Sequence, residues 1–367
     1  MLLLLLRRRT TLRSRPDATT MPTLRRAISS SPPRPWLFGA SAVAAGVVTV
    51  LIPQTNSTVP DAPARDDGGM KIVSLLPSAT EIVFALGVGD ELAGVSFECD
   101  YPPAARAVPV VSGTALPTDG SLTAEGIDAQ VSARVAAGES IYTLDAARIR
   151  TIDPDVILAQ DLCQVCAVPS GAVEDALAVI GCHAVVVSLD PGRLDEVIDC
   201  IGSVGRATRT DQAAEDLMAD LRRRVAAVRR RVEGRQRSRV FALEWPDPPF
   251  NGGHWVPDMI EAAGGVPVLA AGGERSRRLT WDEIAAEGID VTVFMPCGFD
   301  LDGAVGEADS FLGRPEAAAM GRIYAVDASS YFSRPGPRVV DGVELMAELF
   351  HPILPGQAPP QRARRLR

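Results

Sequence analysis

At 367 residues the chain exceeds the length one compact domain usually needs, so two domains and a sizeable core are allowed. Apolar residues make up 46% and charged residues 23%, the balance of a soluble globule, and 37 basic against 46 acidic side chains give a net charge of −9. A chain this acidic does not work by blanketing nucleic acid with positive charge, which excludes nonspecific DNA binding.

The first segment has its own composition. Residues 1–69 hold nine arginines and four acids, a charge of +5 that leaves −14 for residues 70–367. Arginine, Ser, Thr and Pro precede an apolar run from Trp36 to Ile52, with Ala62 and Ala64 as a small-residue pair where a peptidase could cut. Three readings stand: a cleaved signal or signal anchor giving an extracytoplasmic protein, an organellar transit segment, or a true start at Met70 giving a cytoplasmic one. Membrane contact is expected only through this segment.

From Lys71 the pattern alternates short apolar runs with amphipathic stretches. Lys71–Leu76 predicts a strand and Ser78–Leu86 a helix opened by a Ser78-x-x-Glu81 capping box. Leu92–Ser96, Val108–Val111, Asp155–Gln160 and Ala184–Leu189 predict further strands, so residues 70–190 form an α/β lobe. Residues 191–234 predict one long linking helix, bent near Gly202 and Gly205. A second α/β series spans 235–352: strand Arg239–Glu244, helix Trp255–Ala263, strands Val291–Met295 and Ile323–Val326, and a last helix over Val339–Leu349. Residues 353–367 read as a disordered tail. Leu144-Asp145 before Asp155, and Trp281-Asp282 before Asp290, make a faint repeat between the lobes.

In parallel α/β sheets, ligands bind beyond the carboxyl ends of the strands. The loops predicted there carry Ser78, Thr114, Trp245, Phe250, His254, Trp255, Phe299, Tyr331, Phe332 and Arg334, with Cys99, Cys163, Cys166 and Cys297. No phosphate-cradling glycine motif occurs among them. Six cysteines (99, 163, 166, 182, 200 and 297) are too few to staple a chain of this length, so core packing must hold the fold. The four crevice cysteines with His254 could bind a thiophilic metal, while Cys163-x-x-Cys166 alone suits a redox pair, half a zinc site or a small disulfide. Buried inert thiols are the simpler alternative. His254 could also ligate a chelated metal axially, or merely hydrogen-bond.

Three phrases carry a resemblance: Ile72-Val-Ser-Leu-Leu-Pro-Ser-Ala-Thr-Glu81, Asp100-Tyr-Pro-Pro103, and Tyr331-Phe-Ser-Arg-Pro-Gly-Pro-Arg338. In order and spacing over about residues 70–352 the chain resembles the substrate-binding proteins of vitamin B12 and ferric-siderophore ABC importers, most closely the cobalamin-binding branch. The resemblance implies a class III periplasmic-binding fold, two Rossmann-like lobes joined by a long backbone helix, and no catalysis. It implies that Tyr101 and Phe250 pack on a corrin, with Arg334 near the ligand, and that Asp145 and Asp282 dock on a permease. Asp favours helix N-caps on its own account, which explains both acids without a partner. The implied ligand is cobalamin or a similar metal chelate, no cofactor is required, and the protein is expected to be a monomer. The competing reading is a metal-binding or thiol-redox protein using the crevice cysteines, or an intracellular cobalamin carrier or sensor.

Overall fold

Near-continuous apolar runs mark strands buried on both faces, and such strands lie inside two sheets. The structure, a computed structural model, describes residues 69–351 and 362–367, apart from 118–121, 138 and all but Gly171, Val173 and Leu177 within 161–182. In the first lobe β1 (Ile72–Ser74) and β5 (Val156–Ala159) are fully buried neighbours. The six-stranded sheet adds β2 (Leu92–Ser96), β3 (Val110–Thr114), β4 (Tyr142–Leu144) and β6 (Val185–Ser188), in the order β4-β3-β2-β1-β5-β6. Every pairing is parallel except β3 with β4. Helices α1 (Pro77–Ala85), α2 (Ala124–Ala136) and α3 (Ala146–Ile152) complete the described part of this lobe.

The linking segment is two helices rather than one. Helix α4 (Leu194–Ala207) and α5 (Asp211–Val232) are separated at 208–210, where Arg209 takes a left-handed φ of 58°. They run antiparallel, with Gly205 against Ala214, Gly202 against Met218 and an ion pair between Asp199 and Arg222. The predicted bend at the glycines is therefore a contact surface, where the missing side chains let the helices approach closely.

In the second lobe β10 (Val291–Phe294) is fully buried, and its Thr292 hydroxyl donates to the Met320 carbonyl at 2.7 Å. Around it lie β7 (Arg239–Pro246), β8 (Pro249–Asn251), β11 (Arg322–Val326) and β12 (Ala363–Arg365), in the order β12-β11-β10-β7-β8, while β9 (Val266–Pro267) pairs with β7. Strand β12 runs antiparallel to β11, so part of the predicted disordered tail is an ordered sheet edge. The helices are α6 (Val256–Ala262), α7 (Trp281–Ala286), α8 (Leu301–Glu307), α9 (Asp309–Leu312), α10 (Ala328–Tyr331) and α11 (Val339–Phe350). Both lobes belong to one compact unit.

The faint repeat is real in local structure, with its register corrected. Asp145 and Thr280 cap α3 and α7, and each cap stands eleven positions before the first residue of the following strand. Just before those strands, Asp155 accepts from the Lys71 backbone at 2.8 Å and Asp290 from the Arg239 backbone at 2.7 Å. Each carboxylate thus ties the start of one central strand to its neighbour.

Candidate functional site between the lobes

The helix after β1 opens with a proline, whose fixed φ and missing N–H suit the first helical position. Leu76 is consequently the N-cap residue and uses no side chain, so the expected capping box does not form. Glu81 is free to turn away, and it is 5% exposed. Its carboxylate meets two guanidiniums from the second lobe: Arg338 Nε donates to Oε2 at 2.8 Å and Nη2 to Oε1, while Arg334 Nη1 lies 3.5 Å from Oε1. Arg334 also donates to Asp100 Oδ1 at 2.7 Å and to the Glu98 carbonyl at 3.2 Å. At 3% exposure it is committed to the first lobe. The turn carrying both arginines covers Ser78, which Gly336 faces directly and which is fully buried.

Beyond this network the lobes present aromatic side chains. Tyr101 stands on the loop after β2, 45% exposed, with the Arg338 guanidinium 4.0 Å from its ring centre. From the second lobe the β7–β8 hairpin brings Trp245 opposite Phe250. Both loops pass through a cis X–Pro bond, Tyr101–Pro102 and Asp247–Pro248. Half-buried Trp245 packs against the hydrophobic clusters of both lobes, and its buried indole N–H has no hydrogen-bond partner among the described residues. Its ring meets Phe299 edge-on at 6.0 Å. Arg278 lies 5.7 Å over Phe250 and crosses to Asp128 of the first lobe at 2.9 Å. Tyr331 stacks against Arg362 at 4.7 Å.

Several expected crevice residues are instead core. Trp255 is 6% exposed and donates its indole N–H to the Phe332 carbonyl at 2.9 Å, and Phe332 is 1% exposed in the same cluster. Phe299 is likewise buried, under Trp245. The physical reason is shared: the loops fold back over the strand ends and bury these three rings, leaving Tyr101, Trp245, Phe250 and Tyr331 less covered. Thr114 is spent locally, donating to Ile141 O and accepting from Leu116 N, each at 3.1 Å. His254, at a φ of 53°, is pinned through its backbone N–H to the Glu274 carbonyl and lies 5.8 Å from Trp255. Burial, helped by the positive charge of Arg275, lowers its pKa and favours the neutral imidazole.

Cys99 is a core residue under α1, accepting a hydrogen bond from Thr80 at 3.0 Å, and burial pushes its thiol up to about 12. Cys297 is half-buried with a free thiol. Among the described residues no group of three or more His, Cys, Asp and Glu could hold a metal ion. Cys163 and Cys166 lie outside the described residues.

Asp145 and Asp282 occupy inequivalent positions. Asp145 is the N-cap of α3, accepting from the Arg148 backbone at 3.0 Å, whereas Thr280 caps α7 and Asp282 is the second residue of that helix, exposed. Ala147 stands where Asp282 does.

Sequence reasoning missed Glu81 and Arg338 as partners, and Arg278 with Asp128. A usable signal was present for the first pair: one acid inside the apolar run of α1 and two arginines in the 331–338 phrase, both places where an uncompensated charge is costly.

In a two-lobed α/β protein, the strand ends and the loops beyond them place a ligand crevice between the lobes. The periplasmic binding protein family matches residues 72–328, and the chain belongs to that family. It is 25% identical over 281 residues to the vitamin B12-binding protein of Vibrio cholerae, covering 75% of this chain and 86% of that one. It is 26% identical over 326 residues to the cobalamin-binding protein of Halobacterium salinarum, covering 87% and 79%. Among solved structures, the periplasmic heme-binding protein RhuT of Roseiflexus sp. RS-1 matches with a TM-score of 0.56 at 21% identity, over 78% of this chain and 99% of that one. The family's members are substrate-binding proteins of ABC importers, and the fold is theirs. Among the described residues no helix is long and apolar enough to cross a membrane.

Proposed function

We propose that this protein is a non-enzymatic carrier that holds cobalamin or a related corrinoid between its lobes and delivers it to an ABC permease. The observation that carries the reading is that each lobe brings aromatic side chains to its loops, exposed Tyr101 on one and the Trp245–Phe250 hairpin on the other. A corrin is a broad apolar plate rimmed by amides, and aromatic walls with a few donors suit such a plate. The unpartnered Trp245 indole N–H is one such donor. Sequence similarity to two cobalamin binders supports the ligand class. The charges at the junction support it too, because Arg334 and Arg338 already face Glu81 and Asp100 and so offer little to the carboxylates of a haem or an anionic siderophore.

Export through the N-terminal segment would put the carrier outside the cytoplasm, and Asp145 and Asp282 would face arginines of the permease. The test is equilibrium dialysis of the full chain against cyanocobalamin, haemin and a ferric hydroxamate in parallel. The reading expects saturable one-to-one binding of cyanocobalamin at least tenfold tighter than the other two. Preferential binding of haemin or the hydroxamate would replace the ligand class.

A further inference from the structure

Only two large apolar side chains among the described residues are exposed, and Tyr101 is one of them. One face of its ring is nevertheless occupied. The Arg338 guanidinium sits 4.0 Å from the ring centre, and that guanidinium is itself locked by two hydrogen bonds to the two oxygens of buried Glu81. A fork-shaped donor held through Nε and Nη2 by both oxygens of one carboxylate has its plane fixed, which a single contact would not achieve. The backbone beside Tyr101 is tied separately, because Asp100 pairs with Arg334 at 2.7 Å. Glu81 and Tyr101 come from the first lobe and both arginines from the second, so the ring is set by contacts that exist only when the lobes meet.

We propose that Arg338, oriented by Glu81, is a positioning residue for the ligand: it backs one face of Tyr101 and fixes the ring as a platform whose opposite face receives a flat conjugated chelate. This deepens the corrinoid reading above and rests on it for the identity of the ligand. An unbacked tyrosine on an exposed loop would have to be ordered at each binding event, and a ring already held avoids that cost. The cation also withdraws electron density from the ring, making the far face a better partner for an electron-rich conjugated plate. With Nε and Nη2 engaged by Glu81 and the guanidinium over the Tyr101 ring, Arg338 acts on the ligand through Tyr101.

A double-mutant cycle on the full chain tests this, with calorimetric titration of cyanocobalamin into wild type, Arg338→Gln, Tyr101→Ala and the double variant. Arg338→Gln is expected to weaken binding about three- to thirtyfold, the range of a cation–π contact. In the Tyr101→Ala background the same change is expected to cost less than about twofold, and Arg338→Lys to recover part of the loss. An equal loss with and without Tyr101, or no loss at all, overturns the proposal. A ligand-free measurement separates it from the corrinoid reading. The near-ultraviolet circular dichroism contributed by Tyr101, wild type minus Tyr101→Leu, should collapse in Arg338→Gln while thermal unfolding stays cooperative. If wild type binds no cyanocobalamin but that signal collapses, the ligand reading fails and the platform stands; a signal unchanged by Arg338→Gln overturns the platform whatever binds.

Discussion

Glu81 holds its charge in a place where water cannot solvate it, with Arg334 and Arg338 supplying the compensation from across the interlobe junction. Breaking a buried pair by removing one partner costs about 3–5 kcal/mol, because the other charge is left buried and unpaired. Arg334→Ala should therefore lower unfolding free energy by roughly that amount in urea titration, and a loss below about 1 kcal/mol would show the network to be solvent-relieved. Nothing local in the sequence reveals this pairing, since the partners lie 253 and 257 positions away and the Ser-x-x-Glu spacing offers a nearer explanation. Pro77 is the residue that should have broken the tie, because a proline at the first helical position moves the cap back to Leu76. Cys99 makes the opposite case: a strand-end position suggested a metal-ligating crevice thiol, but the side chain turns under α1. Its thiol, pushed up to about 12, should resist alkylation by iodoacetamide at pH 8 in the folded protein and react on unfolding. Rapid native labelling at Cys99, located by peptide mass, would contradict its burial.

At the scale of elements, periodicity found the central strands and their helices because each carries its own apolar pattern. Strands β1, β5 and β10 are legible as fully apolar or nearly apolar runs. Strand β12 is not, since Ala363–Arg365 is polar and owes its conformation to pairing with β11. The α4–α5 break was equally hidden, because helical spacing continues across Thr208-Arg209-Thr210 with neither glycine nor proline at the turn. What marks the turn is tertiary: a Cβ on Gly205 would come within 2.4 Å of the Ala214 Cβ. Gly205→Val should destabilise by about 1–3 kcal/mol through overpacking, despite the better helix propensity of valine over glycine. Ala214→Gly should rescue part of that loss in the double variant, as read by urea unfolding. Simple additivity would mean that the two residues do not pack against each other.

For the whole molecule, the sequence phrases pointed to two lobes and a crevice at the strand ends, and the two-lobed fold and the family are as expected. The crevice lining was only partly legible, because which loop aromatic stays exposed depends on how the loops fold back, as Trp255 and Phe332 demonstrate. Stability of the whole fold should also depend on its neutral histidines. His254 and His351 both have pKa values lowered by burial, so the unfolded chain takes up protons first as pH falls below about 6.5. Their contribution is present above that value and is lost as pH drops through the folded-state pKa. The thermal midpoint should fall as pH drops below about 6.5, and His351→Gln should flatten that fall; an identical pH profile in the variant would show that His351 does not contribute.

Tryptophan fluorescence of the full chain titrated with cyanocobalamin tests most directly whether Tyr101, Trp245 and Phe250 form a corrinoid site, since Trp245 packs against the clusters of both lobes. The account predicts saturable quenching in wild type and binding at least about tenfold weaker in both Tyr101→Ala and Phe250→Ala. A folded wild-type protein whose fluorescence and dialysis both show no binding, or variants that bind as tightly as wild type, would contradict it.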